Sequence, residues 1–400
     1  MSDPTVNKIL NVLAGEIDIP DSNYDIAERR YKALSDWFAN PSSQCSSFDP
    51  HLYVQGSFRL GTVIRPLNAD GEYDLDMSCR LRAGISKALH TQKQLKELVG
   101  ADIETYRVAQ GFKQAREEKT RCWRLKYSDN LNFHLDAVPS IPEDSGRRTL
   151  IREAMMKFGS PAGIADAAAT LACAITDNTR LNYSSPTNDW PVSNTEGYAL
   201  WFESRVEQSR LLMEKWASEA RAARIDKLPI NKRKSPLQKC IQLLKRHRDV
   251  MFKNDSDGKP ISVIITTLAA MAYGGETELD DALNGLLQRM GAFVRPGIPR
   301  VPNPVNPAED FADKWAKPEH AHHRLEQNLH LWLGQAKQDV LALQSVHTAE
   351  AISKQARSIF ALELSEEVMK GIPGLTTGVG NVAPRTHVIS NSPPKPWSNR

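Results

Sequence analysis

Apolar residues recur at helical spacing at the start of the chain. Val6, Ile9, Leu10 and Leu13 predict a first helix that Pro20 closes. Asp21 or Ser22 then caps a second helix, with Ile26, Leu34, Trp37 and Phe38 on its inner face. After a loop over 40–50, strands are expected over 52–54 and 73–81, separated by a Gly-Ser turn, a helical turn and a loop over 66–71. Leu89, Leu95, Leu98 and Val99 predict a helix over 87–99, and over 103–112 the pattern fits helix and strand equally. Residues 121–138 alternate as a hairpin: Leu131, Phe133 and Leu135 share one face, and Asn132, His134 and Asp136 the other. Beyond residue 149 the period is helical, with helices expected over 150–158, 197–224, 236–251, 262–272, 278–290, 308–316, 319–343 and 348–369. Polar residues over 178–194 and prolines over 295–307 mark loops, and the Gly-, Pro- and Ser-rich run 371–400 reads as a flexible tail.

The chemistry concentrates in VQGSFRLGTVIRPLNADGEYDLDMSCRLR, residues 54–82. Side chains two apart on a strand share a face, so Asp74 and Asp76 project together as a pair of oxygen ligands suited to a hard cation such as Mg²⁺. Gly56 lets backbone N–H groups approach a phosphate closely, and the Ser57 hydroxyl can donate to it. Asp136 lies on the polar face of its own strand. If that strand is an antiparallel neighbour of the Asp74/Asp76 strand, three carboxylates gather around one or two cations.

Composition narrows the classes without deciding among them. With 400 residues, 25% charged and 40% apolar, the chain is long enough for two folded domains, and its net charge of +3 does not by itself mark a nucleic-acid binder. Cys45, Cys79, Cys122, Cys173 and Cys240 are scattered, odd in number and form no CxxC pair, which fits reduced thiols in the cytoplasm. The opening SDPTVNK lacks the pattern of a secretory leader, and no apolar run is long enough to span a membrane.

A Gly-Ser turn, an acid-x-acid strand and a third acid on a later strand resemble the polymerase-β-type nucleotidyltransferase superfamily. The resemblance is closest to its cGAS/DncV-like branch (CD-NTases) of bacterial CBASS anti-phage systems. The long interval from Gln55 to Asp74, the segment PLQKCIQLLKRHRD followed by ISVIITTLAAMAY, and NPVNPAEDFADKW carry the narrower likeness. It implies an α+β fold: a polymerase-β-like core with a mixed sheet flanked by helices, followed by an oligoadenylate-synthase-like helical domain. The expected division is 1–205, 206–370 and the tail 371–400. It further implies that Asp74, Asp76 and Asp136 hold two Mg²⁺ or Mn²⁺ ions, and that Gly56, Ser57, Lys245 and Ser262 grip a donor triphosphate. The implied reaction joins NTPs, ATP at least, into a cyclic di- or trinucleotide with release of pyrophosphate. A linear oligoadenylate synthase or another nucleotidyltransferase is the alternative, and a nucleotide-binding scaffold the non-enzymatic one.

Other residues weigh less. Gln55 flanks the turn, where phosphate contact and a plain strand-end role are evenly balanced. Asn194 lies in NTEGYALWFESR, which resembles a pocket-lining stretch and makes it a candidate base contact, whereas Tyr198, Trp201 and Phe202 read as core. His320, His322 and His323 lack the partners of a zinc site and read as surface, which leaves activation by DNA without a signature. The basic run over 227–248 reads first as pocket lining and only second as a nucleic-acid patch. Within the tail, Pro393, Pro394, Lys395, Pro396 and Trp397 form a preorganised short motif. By the family's precedent it is a handle for a HORMA-type or ubiquitin-transfer-like regulator.

Overall fold

The computed structural model describes residues 4–68, 71–127, 133–206, 234–370 and 372. The tail motif, the 128–130 turn and most of the expected 197–224 helix therefore lie outside the described residues. The first two helices form as the pattern requires: α1 spans Pro4–Ile17 and α2 Asp21–Ala39. The cap of α2 differs from expectation. Pro20 occupies it without a side-chain bond, and Asp21 falls inside the first turn.

Strands β1 (Pro50–Val54), β2 (Tyr73–Leu81), β4 (Trp123–Lys126) and β5 (Phe133–Pro142) form the body of a mixed sheet in the order β1-β2-β5-β4-β3, where β3 is Glu117–Glu118. β6 (Cys173–Ile175) pairs with the far end of β5, and β7 (Val192–Ser193) with β6. Leu75, Met77, Leu125, Leu135 and Ala137 point to one face and are buried under α2 and α4 (Gln92–Ala109). The opposite face carries the polar residues.

One expectation is overturned in a way that matters. β5 runs parallel to β2, with Asp74 opposite His134 and Asp76 opposite Asp136. A parallel neighbour needs a long crossover to bring the chain back to the same end, and α4 supplies it. That helix is also longer than the pattern over 87–99 suggested. It starts after Thr91, whose capping box with Gln94 fixes the first turn and leaves Leu89 exposed. It then runs through the undecided 103–112 segment, because Leu95, Val99, Ile103 and Tyr106 stay in phase on the face buried against the sheet.

The remaining helices include α3 (Gly56–Leu60), α5 (Ser145–Lys157), α6 (Ala162–Thr170), α7 (Thr195–Val206), α8 (Pro236–Met251), α9 (Ser262–Ala272), α10 (Leu279–Arg289), α11 (Leu325–Gln344) and α12 (Ala349–Phe360). Of these, α6 was not anticipated. The expected helix over 308–316 is instead the strand β9 (Asn306–Asp310), paired with β8 (Pro302–Asn303), followed by a short 3₁₀ turn. The Asp310 carboxylate accepts from the backbone N–H groups of Arg300 (2.7 Å), Val301 (2.9 Å) and Ala312 (2.9 Å), which pins this hairpin against helical winding. The helix expected from 319 begins only at Leu325, and the one expected to run to 369 ends at Phe360, where Ala361 takes a left-handed conformation. α1 and α5–α12 share one apolar cluster, while α2, α4 and the sheet share a second.

Candidate active site

The register aligns one residue from each of three neighbouring strands: Arg124 opposite Asp136, and Asp136 opposite Asp76. Asp74 lies two residues before Asp76, on the same polar face. Burial, reinforced by the charges of Asp74 and Asp136, pushes the Asp76 carboxyl up to about 7. Burial likewise raises Asp74, with Arg124 opposing and Asp136 reinforcing the shift. Negative charge on hard oxygen donors is the chemistry a divalent cation requires, so the acids are of the right kind for the ions their sequence implies, while their side chains are not gathered in metal-binding geometry.

Gly56 follows β1 after Gln55 with φ +67°, and a β-carbon there would collide with Oδ2 of Asp76. The glycine is therefore demanded twice, by the left-handed backbone and by the carboxylate pressed against it. Ser57, in the first turn of α3, opens onto the same cavity, which has a volume of about 470 Å³. Gln55 stands behind it. Its N–H donates to Asp76 O at 2.8 Å, and its side-chain oxygen accepts from the Thr195 hydroxyl at 2.7 Å. Both bonds are of the kind a strand-end role requires.

The far wall comes from α8. Gln238, Gln242, Lys245 and Arg246 lie on one stripe of that helix and donate to the carbonyls of Leu60 (2.9 Å), Val63 (2.6 Å), Thr62 (3.0 Å) and Arg65 (2.8 Å). This ladder ties a helix nearly two hundred residues away to the segment after the Gly-Ser turn, and it sets Lys245 in the cavity wall. Burial, with Arg248 adding, pulls the Lys245 ammonium down to about 7 against the pull of Asp249 and Asp76. Ser262 opens α9 at the cavity edge and accepts from Arg248 Nη1 at 3.0 Å.

Asn194 lines the cavity too, and its amide also bonds within the fold. Nδ2 donates to Ala168 O at 3.0 Å and Oδ1 accepts from Gly197 N–H at 3.2 Å at the start of α7. These bonds cap α7 and hold Asn194 on the cavity lining, where the sequence placed a candidate base contact. Tyr198, Trp201 and Phe202 are buried, as expected of core. The rings of His322 and His323 lie tilted against each other with centroids 3.8 Å apart in a 3₁₀ turn, and among the described residues no His, Cys, Asp and Glu grouping with the ordinary geometry of a bound metal is present. Sequence reasoning missed Arg124, Thr62 and Glu309, whereas Arg248 belongs to the basic run read as pocket lining. Glu309 reaches the cavity from β9, accepts from Asn303 Nδ2 at 2.8 Å, and has its carboxyl pKa raised by burial.

A mixed sheet bearing this acid row, flanked by helices and followed by a helical region, is the architecture that the likeness to polymerase-β-type nucleotidyltransferases implies. Residues 50–139 match the family model of the cyclic GMP-AMP synthase DncV-like nucleotidyltransferase domain, so this part of the chain carries a domain of that kind. It is 25% identical over 326 residues to a c-di-GMP synthase of Roseivirga ehrenbergii, covering 80% of this chain and 76% of that one. It is 26% identical over 330 residues to the cyclic dinucleotide synthase CdnG of Bradyrhizobium diazoefficiens, covering 78% and 71%. The structure of that CdnG in complex with GTP superposes over 92% of this chain and 98% of its own, with a TM-score of 0.61 at 20% identity. An Escherichia coli CdnC, solved in complex with a HORMA protein, shares the fold with a TM-score of 0.53 at 12% identity, over 90% and 97%.

Gly56→Ala is expected to lower kcat by about 10²-fold, the cost of misplacing a reacting geometry by roughly an ångström. The added methyl displaces the Asp76 carboxylate while the fold persists. Steady-state kinetics beside a circular dichroism spectrum check this, and a variant with parental kcat would show that the close approach is dispensable.

Proposed function

We propose that this protein joins purine nucleoside triphosphates, ATP or GTP, into a cyclic dinucleotide with release of pyrophosphate, using two Mg²⁺ or Mn²⁺ ions. The observation that carries this reading is the row of acids beside one cavity: Asp74 and Asp76 line it together with Ser57, Lys245 and Ser262, and Asp136 stands opposite Asp76 on the neighbouring strand. The names of its relatives support the cyclic product.

Asp74 and Asp76 would hold both ions and Asp136 one of them. Bound there, the ions supply charge neutralisation and lower the pKa of an acceptor hydroxyl. The chain's own groups do the positioning. Lys245, protonated, meets the triphosphate, and Ser57 donates its hydroxyl to it. Arg248 fixes Ser262 so that its hydroxyl hydrogen is free to turn toward an anion. The enclosing walls keep water from competing with the acceptor hydroxyl. Closing the ring requires the linear intermediate to turn round in the same cavity.

The test is incubation of the purified protein with four labelled NTPs and Mg²⁺ or Mn²⁺, with mass spectrometry of the product and an Asp74→Asn, Asp76→Asn double variant as control. The expected product resists phosphatase. A phosphatase-sensitive product would mark a linear oligonucleotide synthase, no product a nucleotide-binding scaffold, and product from the double variant would overturn the mechanism. The proposed product would act as a signal in anti-phage defence, and the CdnC–HORMA structure supports a HORMA-type regulator as partner. Among the described residues no helix is long and apolar enough to cross a membrane.

A further inference from the structure

The acid row is not without a cation of its own. Arg124, on the β4 edge of the row, forks onto Asp136, with Nε 2.7 Å from Oδ1 and Nη2 2.7 Å from Oδ2. The same Nη2 lies 3.7 Å from Oδ1 of Asp74. One guanidinium nitrogen thus sits between the first and third carboxylates, where an ion shared by them would bind. We propose that Arg124 is the built-in counter-ion of this site and that a divalent cation entering between Asp74 and Asp136 displaces its Nη2.

Three features support this role over that of a fixed strut. The Arg124 side chain is 23% exposed and borders the open side of the row, so it has solvent to move into. The pair is set by backbone register, because Arg124 and Asp136 are direct cross-strand partners, and so it re-forms whenever the ion leaves. An ion touching Asp74 Oδ1 and Asp136 Oδ2 would also stand against the guanidinium at a separation where like charges repel strongly. Arg124 therefore neutralises the acids during folding and between turnovers, and metal binding becomes an exchange of cations. The residue makes no demand on the nucleotide. It is a positioning residue for Asp136 whose release accompanies loading. This inference rests on the metal reading given above.

The test is Mn²⁺ binding to the full-length protein without nucleotide, followed by the electron paramagnetic resonance signal of free Mn²⁺. Arg124→Gln, which removes the competing charge, is expected to bind Mn²⁺ about tenfold more tightly than the parent. It should also melt at a lower temperature in EDTA, a deficit that Mn²⁺ removes. Arg124→Lys keeps a charge but loses the fork, and should bind with intermediate affinity; it decides the matter if the glutamine variant fails to fold. Affinity equal to or weaker than the parent, with a parental circular dichroism spectrum, would overturn the proposal and make Arg124 a permanent support of Asp136. The Asp74→Asn, Asp76→Asn protein separates the two readings: if the parent binds Mn²⁺ no better than that variant, the metal site itself is absent.

Discussion

Asp76→Asn is expected to abolish nucleotidyl transfer, by on the order of 10³-fold or more, while raising the melting temperature of the protein in EDTA. Both effects come from one oxygen ligand. In the folded chain the Asp76 carboxyl is pushed from 3.8 to about 7 by burial and by Asp74 and Asp136. The folded state therefore keeps a proton that the unfolded state gives up. As pH rises from about 4, the unfolded chain ionises first, and stability falls until the folded carboxyl also ionises near 7. Above that point the charge costs roughly 2–4 kcal/mol, which asparagine does not incur. The advantage of Asp76→Asn should thus be small at pH 4, grow through pH 7 and then level off, and it should shrink when Mn²⁺ supplies the missing positive charge. Thermal melts of both proteins across pH, with and without Mn²⁺, measure this. An asparagine variant that is less stable at pH 8 in EDTA would show that the site is not electrostatically strained.

The second large effect is expected from Lys245→Met. If Lys245 meets the donor triphosphate as proposed, losing its ammonium should raise KM for the donor nucleotide by roughly 10²-fold, the worth of a charge-assisted contact in a site screened from water. The pH dependence identifies the cause. Lys245 is pulled from 10.5 to about 7 by its burial, so at pH 8 it is largely neutral until a triphosphate enters and draws a proton onto it. Nucleotide affinity of the parent should therefore weaken by up to about tenfold per pH unit above 7, with proton uptake on binding. The methionine variant should lose both the slope and the uptake. Calorimetric titrations of a non-hydrolysable triphosphate in buffers of different ionisation enthalpy read the protons directly. A parent with no uptake at pH 8 would mean that Lys245 stays charged without ligand.

How far the site was legible follows from how local each relation is. Asp74 and Asp76 share a face through the two-residue period of a strand, which needs no knowledge of the rest of the chain. The Gly56–Ser57 turn was legible for the same reason. That Gly56 is pressed against Asp76 was not, since the contact depends on how α3 leaves β1 over β2. Lys245 and Ser262 were reached only through family likeness. Their place in the cavity depends on the stripe Gln238, Gln242, Lys245 and Arg246 finding the carbonyls after residue 60, and helical periodicity does not encode that pairing. Glu309 was hidden in a segment that reads as a helix, because the bonds of Asp310 that hold it extended reach back to Arg300 and Val301.

The sequence by itself determined the two-acid strand, the Gly-Ser turn before it, the first two helices and most of the later ones, all relations between residues a few positions apart. Tertiary structure decided which strands are neighbours and in which direction they run. The parallel pairing of β2 and β5 sets Asp136 opposite Asp76, and the β4–β5 register sets Arg124 opposite Asp136. The reason is that pairing direction depends on where a crossover of some fifty residues returns the chain. That is settled by burying α4 on the apolar face of the sheet, and no local pattern within β5 records it.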